Sequence, residues 1–191
     1  MISQSHIKAQ LKNVEQLGIM KVFREAAKKH SIPVTLLLAI SSRETGMGTD
    51  PFLLANNWTG RDGHGKGIMQ VDDRYHSIMT IVPADDHERN IDFAAQFLSG
   101  LLDELPTKRQ AVAAYNAGAG AVRSAVRQGL NPDSVTTGGD FSQDVLNREK
   151  MIAGEMGIWG FRAGFIEALP ALLLLSGGTG FLIQQLKQQK N

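Results

Sequence analysis

A glutamate at the end of an apolar run is the first residue whose setting invites chemistry. Glu44 stands in ISSRETGMGTD, residues 40–50, directly behind LLLAISSR and ahead of Gly46 and Gly48. Burial disfavours a charged carboxylate and raises its pKa. A carboxyl still protonated near neutral pH can give its proton to a glycosidic oxygen. The plain alternative is a helix-end glutamate in water or paired with Arg43.

A second stretch, WTGRDGHGKGIMQVDDRYH at residues 58–76, holds three aspartates and two histidines among glycines. A loop there can bring Asp62 and Asp72 near Glu44. Ionised carboxylates facing a protonated one can orient a water and act as base. The alternative is a turn-forming Asp62 and a capping or surface Asp72. His64 and His76 lack the tight spacing of a metal pair. GHGKG lacks the full phosphate-loop pattern and a leading strand. In the third stretch, AVAAYNAGAGAV at 111–122, Tyr115 and Asn116 end a helix ahead of Gly118 and Gly120. A tyrosine ring stacks on a sugar face and an asparagine bonds an acetamido group. An ordinary helix–turn–helix corner reads the same way.

These residues need elements to position them. Apolar residues from Ile7 to Ala27 fall at three- and four-residue spacing and predict one amphipathic helix, 7–30. The helix 33–45 is apolar nearly all round, which predicts a central position. Residues 46–67 read as an irregular glycine-rich loop, and 68–71 as a short β piece. A helix capped by Asp85 or Asp86 runs to Pro106. Further helices are expected at 107–117, 119–128 and 141–156, so the body is mainly α.

Composition narrows the function classes. The formal net charge is +1, which removes a strongly basic nucleic-acid footprint. Cysteine is absent, so disulfides, thiolate metal sites and cysteine nucleophiles are excluded. MISQSHIKAQ shows no basic segment followed by an apolar core, and no ordinary export signal is expected. Residues 163–183 form an apolar tail long enough to raise the membrane question. The tail is expected either to contact a membrane or to pack as a helix. The expected domains are a catalytic body, 1–158, and this tail, 159–191.

In this order the three stretches resemble the goose-type lysozymes, which sit with the soluble lytic transglycosylases in one glycoside-hydrolase family. ISSRETGMGT resembles the catalytic-glutamate segment. GHGKGIMQVDDRYH resembles the Gly-Met-Gln-Val-Asp segment ending in histidine, and AYNAGAGAVRS the Tyr-Asn-Ala-Gly signature. DFSQDVLNRE resembles a later, weaker segment. The resemblance spans about residues 8–158 and implies a compact lysozyme-like helical fold.

The resemblance also implies roles. Glu44 would be the general acid, and Asp62 and Asp72 the water-positioning carboxylates. His76, Tyr115 and Asn116 would line a saccharide cleft, with Ile68, Met69 and Gln70 along its wall. The loop between Asp62 and Ile68 is one residue shorter than the family pattern. Phe141 stands where the family often has tyrosine, which removes a hydroxyl contact and leaves the ring to pack. A start close to the first core helix fits a bacterial or phage-encoded member.

The implied activity is hydrolysis of the β-1,4 bond between N-acetylmuramic acid and N-acetylglucosamine, at the cell wall, in the periplasm or outside the cell. The alternatives are a lytic transglycosylase giving anhydro products and a non-catalytic peptidoglycan-binding module. Peptidoglycan is the expected partner, with an inhibitor or immunity protein as a further one and no nucleic acid. No cofactor or metal is expected.

Overall fold

The computed structural model describes residues 2–157, and these are mainly helical. The chain divides into two units, residues 1–152 and 153–191. The apolar stretch 163–183, and with it any helix or membrane contact there, lies outside the described residues. Among the described residues no helix is long and apolar enough to cross a membrane.

The expected helix 7–30 is two helices, α1 (Gln4–Gln16) and α2 (Met20–Lys29). The break is local. Gly18 takes φ +70°, its N–H bonds to Glu15 O at 3.0 Å, and Ile19 N–H reaches back to Val14 O at 3.2 Å. This pair of bonds, closed by a left-handed glycine, ends a helix even where the apolar spacing continues beyond it.

Helix α3 (Val34–Thr45) is the centre of the unit, as its composition requires. Leu36, Leu37, Leu38, Ala39 and Ile40 are fully buried. Each buried leucine contributes roughly 1.5–3 kcal/mol. Gly46 closes the helix in the left-handed conformation, φ +61°, and its N–H bonds to Ser42 O at 3.2 Å.

The segment 46–67 is more regular than its glycines suggest. It contains a short helix, α4 (Pro51–Ala55), whose N-cap Asp50 accepts from Phe52 N–H at 2.8 Å, with Pro51 in the first turn. The β piece is also displaced. Strands β1 (Gly65–Lys66) and β2 (Val71–Asp72) pair antiparallel, with Gly65 opposite Asp72 and Lys66 opposite Val71. Of residues 68–71, read as strand, 68–70 lie in the turn between them and Val71 opens β2.

Buried Asn90 pins that turn, its Oδ1 accepting from Met69 N–H and its Nδ2 donating to Lys66 O, both at 2.9 Å. Asn90 belongs to α5 (His87–Glu104), capped by Asp86 and burying Ile91, Ala94, Ala95, Leu98 and Leu101 on one face. Helices α6 (Lys108–Ala117), capped by Thr107, and α7 (Ala119–Arg127) follow. Residues 141–152 form α8 in the first unit, and residues 153–157 of the second are also helical. Helix α5 packs on α2 and α6, α6 on α7, and α2 on α3.

Candidate active site

Glu44 lies in the last turn of α3, where the helix leaves the core and meets a cleft of about 770 Å³. Glu44 is half-buried and lines this cleft. Burial pushes its pKa up to about 8, and the Arg43 charge opposes the rise. Among the described residues no donor hydrogen-bonds to it. The alternative pairing with Arg43 does not form. Arg43 instead sends Nη1 to Asp144 Oδ2 and Nη2 to Asp140 Oδ1, each at 2.9 Å.

Asp62 and Asp72 line the same cleft. Asp62 Oδ1 accepts the backbone N–H of His64 at 3.0 Å and of Gly65 at 3.3 Å. Its pKa is lowered, chiefly by the His64 N–H, with burial opposing. Asp72 ends β2, and Arg74 N–H bonds back to its Oδ1 at 2.8 Å. The Asp72 pKa is lowered, first by the hydrogen bonds from the Arg74 side chain. Both groups are therefore anionic at neutral pH, while burial favours the protonated form of Glu44.

Arg74 was not among the expected site residues. Its Nη2 lies 3.1 Å from Asp62 Oδ2 and 2.5 Å from Asp72 Oδ2, so one guanidinium bridges both carboxylates. The signal was Asp-x-Arg, in which the aspartate side chain caps its own turn two residues on.

The turn residues behave differently from one another. Gln70 lines the cleft with φ +48°, and its Nε2 donates to Gly67 O at 2.8 Å and Trp58 O at 3.3 Å. Its Oε1 fills the space beside Gly60 and Gly65, where an added Cβ would come within 2.5 and 2.6 Å of it. The side chains of Ile68 and Met69, expected along the cleft wall, are fully buried and do not line it. Their carbonyls face polar partners. Ile68 O accepts from Thr45 Oγ1 at 2.8 Å, and Met69 O accepts from the Tyr115 hydroxyl at 3.0 Å. The turn is thus tied to α3 and α6 from behind.

His76, Tyr115 and Asn116 line the cleft too. The His76 ring sits edge-on to Phe93 and Phe97, with centroids 5.2 and 4.6 Å away. Burial lowers its pKa against the pull of Asp72. Tyr115 stands beside Phe97, and its pKa is raised first by burial and then by the Glu44 charge. Asn116 Oδ1 accepts from Thr137 N–H at 2.7 Å. Phe97, which was not among the expected site residues, also forms part of the cleft. Phe141 is buried, with the Arg43 guanidinium 5.8 Å from its ring centroid.

The two histidines do not form a metal pair. His64 Nδ1 lies 2.8 Å from Asp73 Oδ1. His64, Asp72 and Asp73 do offer ligand atoms within 4.8 Å of one another. Protein cations already meet these carboxylates: Lys66 Nζ is 3.5 Å from Asp73, and Arg74 covers Asp72.

The cleft therefore combines a carboxyl held protonated, a pair of carboxylates held ionised, and an aromatic and amide wall. Such a set suits acid-assisted cleavage of a glycosidic bond.

Comparison with known proteins supplies the family. The family model described as "Lysozyme g" matches residues 3–154. Lysozyme g of Cyprinus carpio is 34% identical over 134 residues, covering 65% of this chain and 66% of that protein. Lysozyme G of Dromaius novaehollandiae is 31% identical over 137 residues, covering 66% and 62%. Lysozyme g of Gallus gallus is 31% identical over 146 residues, covering 69% and 64%. The matched region spans just under two thirds of the length of these relatives. The chain belongs to the lysozyme g family.

Proposed function

We propose that this protein is a muramidase that hydrolyses the β-1,4 bond between N-acetylmuramic acid and N-acetylglucosamine in peptidoglycan. The observation that carries the reading is the charge split across one cleft: burial pushes Glu44 up to about 8, while Asp62 and Asp72 are held below the ordinary carboxylate range. In this reading Glu44 protonates the leaving glycosidic oxygen as positive charge develops at the anomeric carbon. The aspartates stabilise that charge and orient a water on the opposite face of the ring, giving inversion. A carboxylate held this acidic is a weak base, so its contribution is orientation and charge stabilisation until the attacking water itself becomes acidic. His76, Tyr115 and Asn116 supply the saccharide wall, with Gln70 shaping it. Ile68 and Met69 act from behind through their carbonyls. The reaction takes place at the cell wall.

The test is digestion of purified peptidoglycan followed by mass spectrometry of the products. Reducing muropeptides are expected from the wild type, and Glu44→Gln should clear wall suspensions at least a thousandfold more slowly while binding them. Predominant anhydro-muropeptides would establish transglycosylation instead. Wall binding without any cleavage would leave a non-catalytic peptidoglycan-binding module.

A further inference from the structure

We propose that Arg74 is the positioning residue of this site: its one guanidinium spans Asp62 and Asp72, fixes the separation of the two carboxylates and keeps the pair usable as anions on the acid side of neutrality. The proposal rests on the muramidase reading for its role in turnover, but its geometry stands independently.

The two aspartates come from different pieces of backbone. Asp62 lies in the loop before β1 and Asp72 ends β2. Asp62 is tied to its own loop by the N–H groups of His64 and Gly65. Asp72 is tied to its own turn by Arg74 N–H. Among the described residues, the direct side-chain link between these two carboxylates is the Arg74 guanidinium. Its Nε contacts both oxygens of Asp72, at 3.0 and 3.2 Å, and its Nη2 reaches across to Asp62 at 3.1 Å.

A lysine could neutralise the pair but could not reproduce this forked contact, because its ammonium is a single point. Without the cation, two like charges share one wall of the cleft and each raises the other's pKa. The Asp72 charge already acts this way on Asp62. The other charged groups around the pair do not replace Arg74. His64 contributes a weaker attraction to Asp72 but is bonded to Asp73, Lys66 is directed at Asp73 and Gly63 O, and His76 is held towards its neutral form by burial. Of the other acids lining the cleft, Glu44 carries no charge in its working form and Glu104 is paired with Arg123.

Arg74 is half-exposed, so its ion pairs add little to overall stability. Its contribution is to geometry and charge state. This separates it from an ordinary surface arginine.

The experiment is a pH–rate profile on purified peptidoglycan for the full chain and for Arg74→Ala and Arg74→Lys, alongside carboxyl-carbon NMR titration of Asp62 and Asp72. Arg74→Ala should lower kcat at pH 5 by tenfold or more with KM changed less than twofold. Its acid limb should move up by about one pH unit. Arg74→Lys should restore the acid limb but only part of kcat. An acid limb that stays in place, with rates falling only as the folded fraction falls, overturns the proposal, as does full rescue of kcat by lysine. If the wild type cleaves no wall material the muramidase reading fails, and the carboxyl titrations alone then decide the role of Arg74. Should Arg74→Ala not fold, the lysine and Arg74→Gln variants carry the same comparison.

Discussion

Arg43 and Asp144 meet at 2.9 Å, Nη1 to Oδ2, although Glu44 is the sequence neighbour of Arg43. Asp140 takes the other end of the same guanidinium at 2.9 Å, and Asp144 also accepts from Arg148 Nε at 2.7 Å. The arginine beside the acid is thereby neutralised by helix α8 and its approach. Burial is left to dominate the pKa of Glu44.

Asp144→Asn should therefore make Glu44 more acidic. The variant removes a negative charge that offsets Arg43 and Arg148, so the field at Glu44 becomes more positive and favours its anion. The working form of Glu44 is protonated, and activity is lost as pH rises through its pKa. The alkaline limb of the pH–rate profile should move to lower pH by roughly 0.5–1 unit. Arg43→Gln should move it the other way. Limbs that shift together, or not at all, would show that Arg43 does not reach the acid electrically.

Keeping Glu44 protonated costs stability in a defined pH window. Its folded pKa, about 8, lies above the ordinary value of 4.5. The group therefore leaves stability intact below about pH 4.5 and withdraws it progressively as pH rises to about 8, because the unfolded chain ionises first. At about 1.4 kcal/mol per unit the cost at pH 8 is roughly 3–5 kcal/mol. Glu44→Gln should match the wild type in urea unfolding at pH 4 and exceed it by a few kcal/mol at pH 8. Equal stability at both pH values would remove the buried-acid account.

The hairpin turn gives a packing prediction. A Cβ on Gly67 would lie 2.3 Å from Asn90 Cγ, and Gly67 has φ +73°. Gly67→Ala should destabilise the fold by roughly 2–4 kcal/mol through clash and backbone strain. Asn90→Ala should cost a similar amount, since it strands Met69 N–H and Lys66 O in a buried site. In the double variant the clash has no target, so the combined loss should fall short of the sum by about 1 kcal/mol or more. Thermal and urea unfolding of the four proteins checks this; strict additivity would mean that the two residues act separately.

The contrast between Glu44 and Arg74 shows what the sequence could reveal. The place of Glu44 at the end of a buried helix was legible because its cause is local: an apolar helix carries it to the cleft, and left-handed glycines release the chain beyond it. The cap at Asp86 was legible for the same reason, as one of two candidates with Asp85. Arg74 was visible as Asp-x-Arg, but its reach to Asp62 depends on how the loop folds back on β2. Ile68 and Met69 were misplaced because apolar residues beside a functional glutamine look alike whether they face the cleft or the core. Asn90 decides that orientation from a distant helix. Gly18 and Pro51 carried ordinary punctuation signals, overridden in the reading by a continuous apolar spacing and by a glycine-rich context.

Asp133 joins the remaining framework to the acid. It is buried, and its carboxylate caps the start of α8 by accepting from Ser142 N–H at 2.7 Å and Gln143 N–H at 3.2 Å. Ser142 Oγ, Arg109 Nη2 and Thr136 Oγ1 also donate to it, at 2.7, 3.1 and 3.4 Å. Burial pushes its pKa up, but the bonds from Ser142, Arg109 and Gln143 together outweigh it and hold the group below the usual range. The stability it contributes is present above its unfolded pKa, near 4, and is lost as pH falls through its lower folded value. Asp133→Asn keeps the shape but removes the charge and turns one acceptor into a donor facing N–H groups. It should cost roughly 2–4 kcal/mol at pH 7, with the gap to wild type narrowing below pH 4. Because α8 carries Asp144, the variant should also loosen Arg43 and lower the alkaline limb of activity. Urea unfolding at pH 7 and pH 3, read beside the pH–rate profile, tests both links. A stability loss with an unmoved alkaline limb would confine Asp133 to capping and cut it from Glu44.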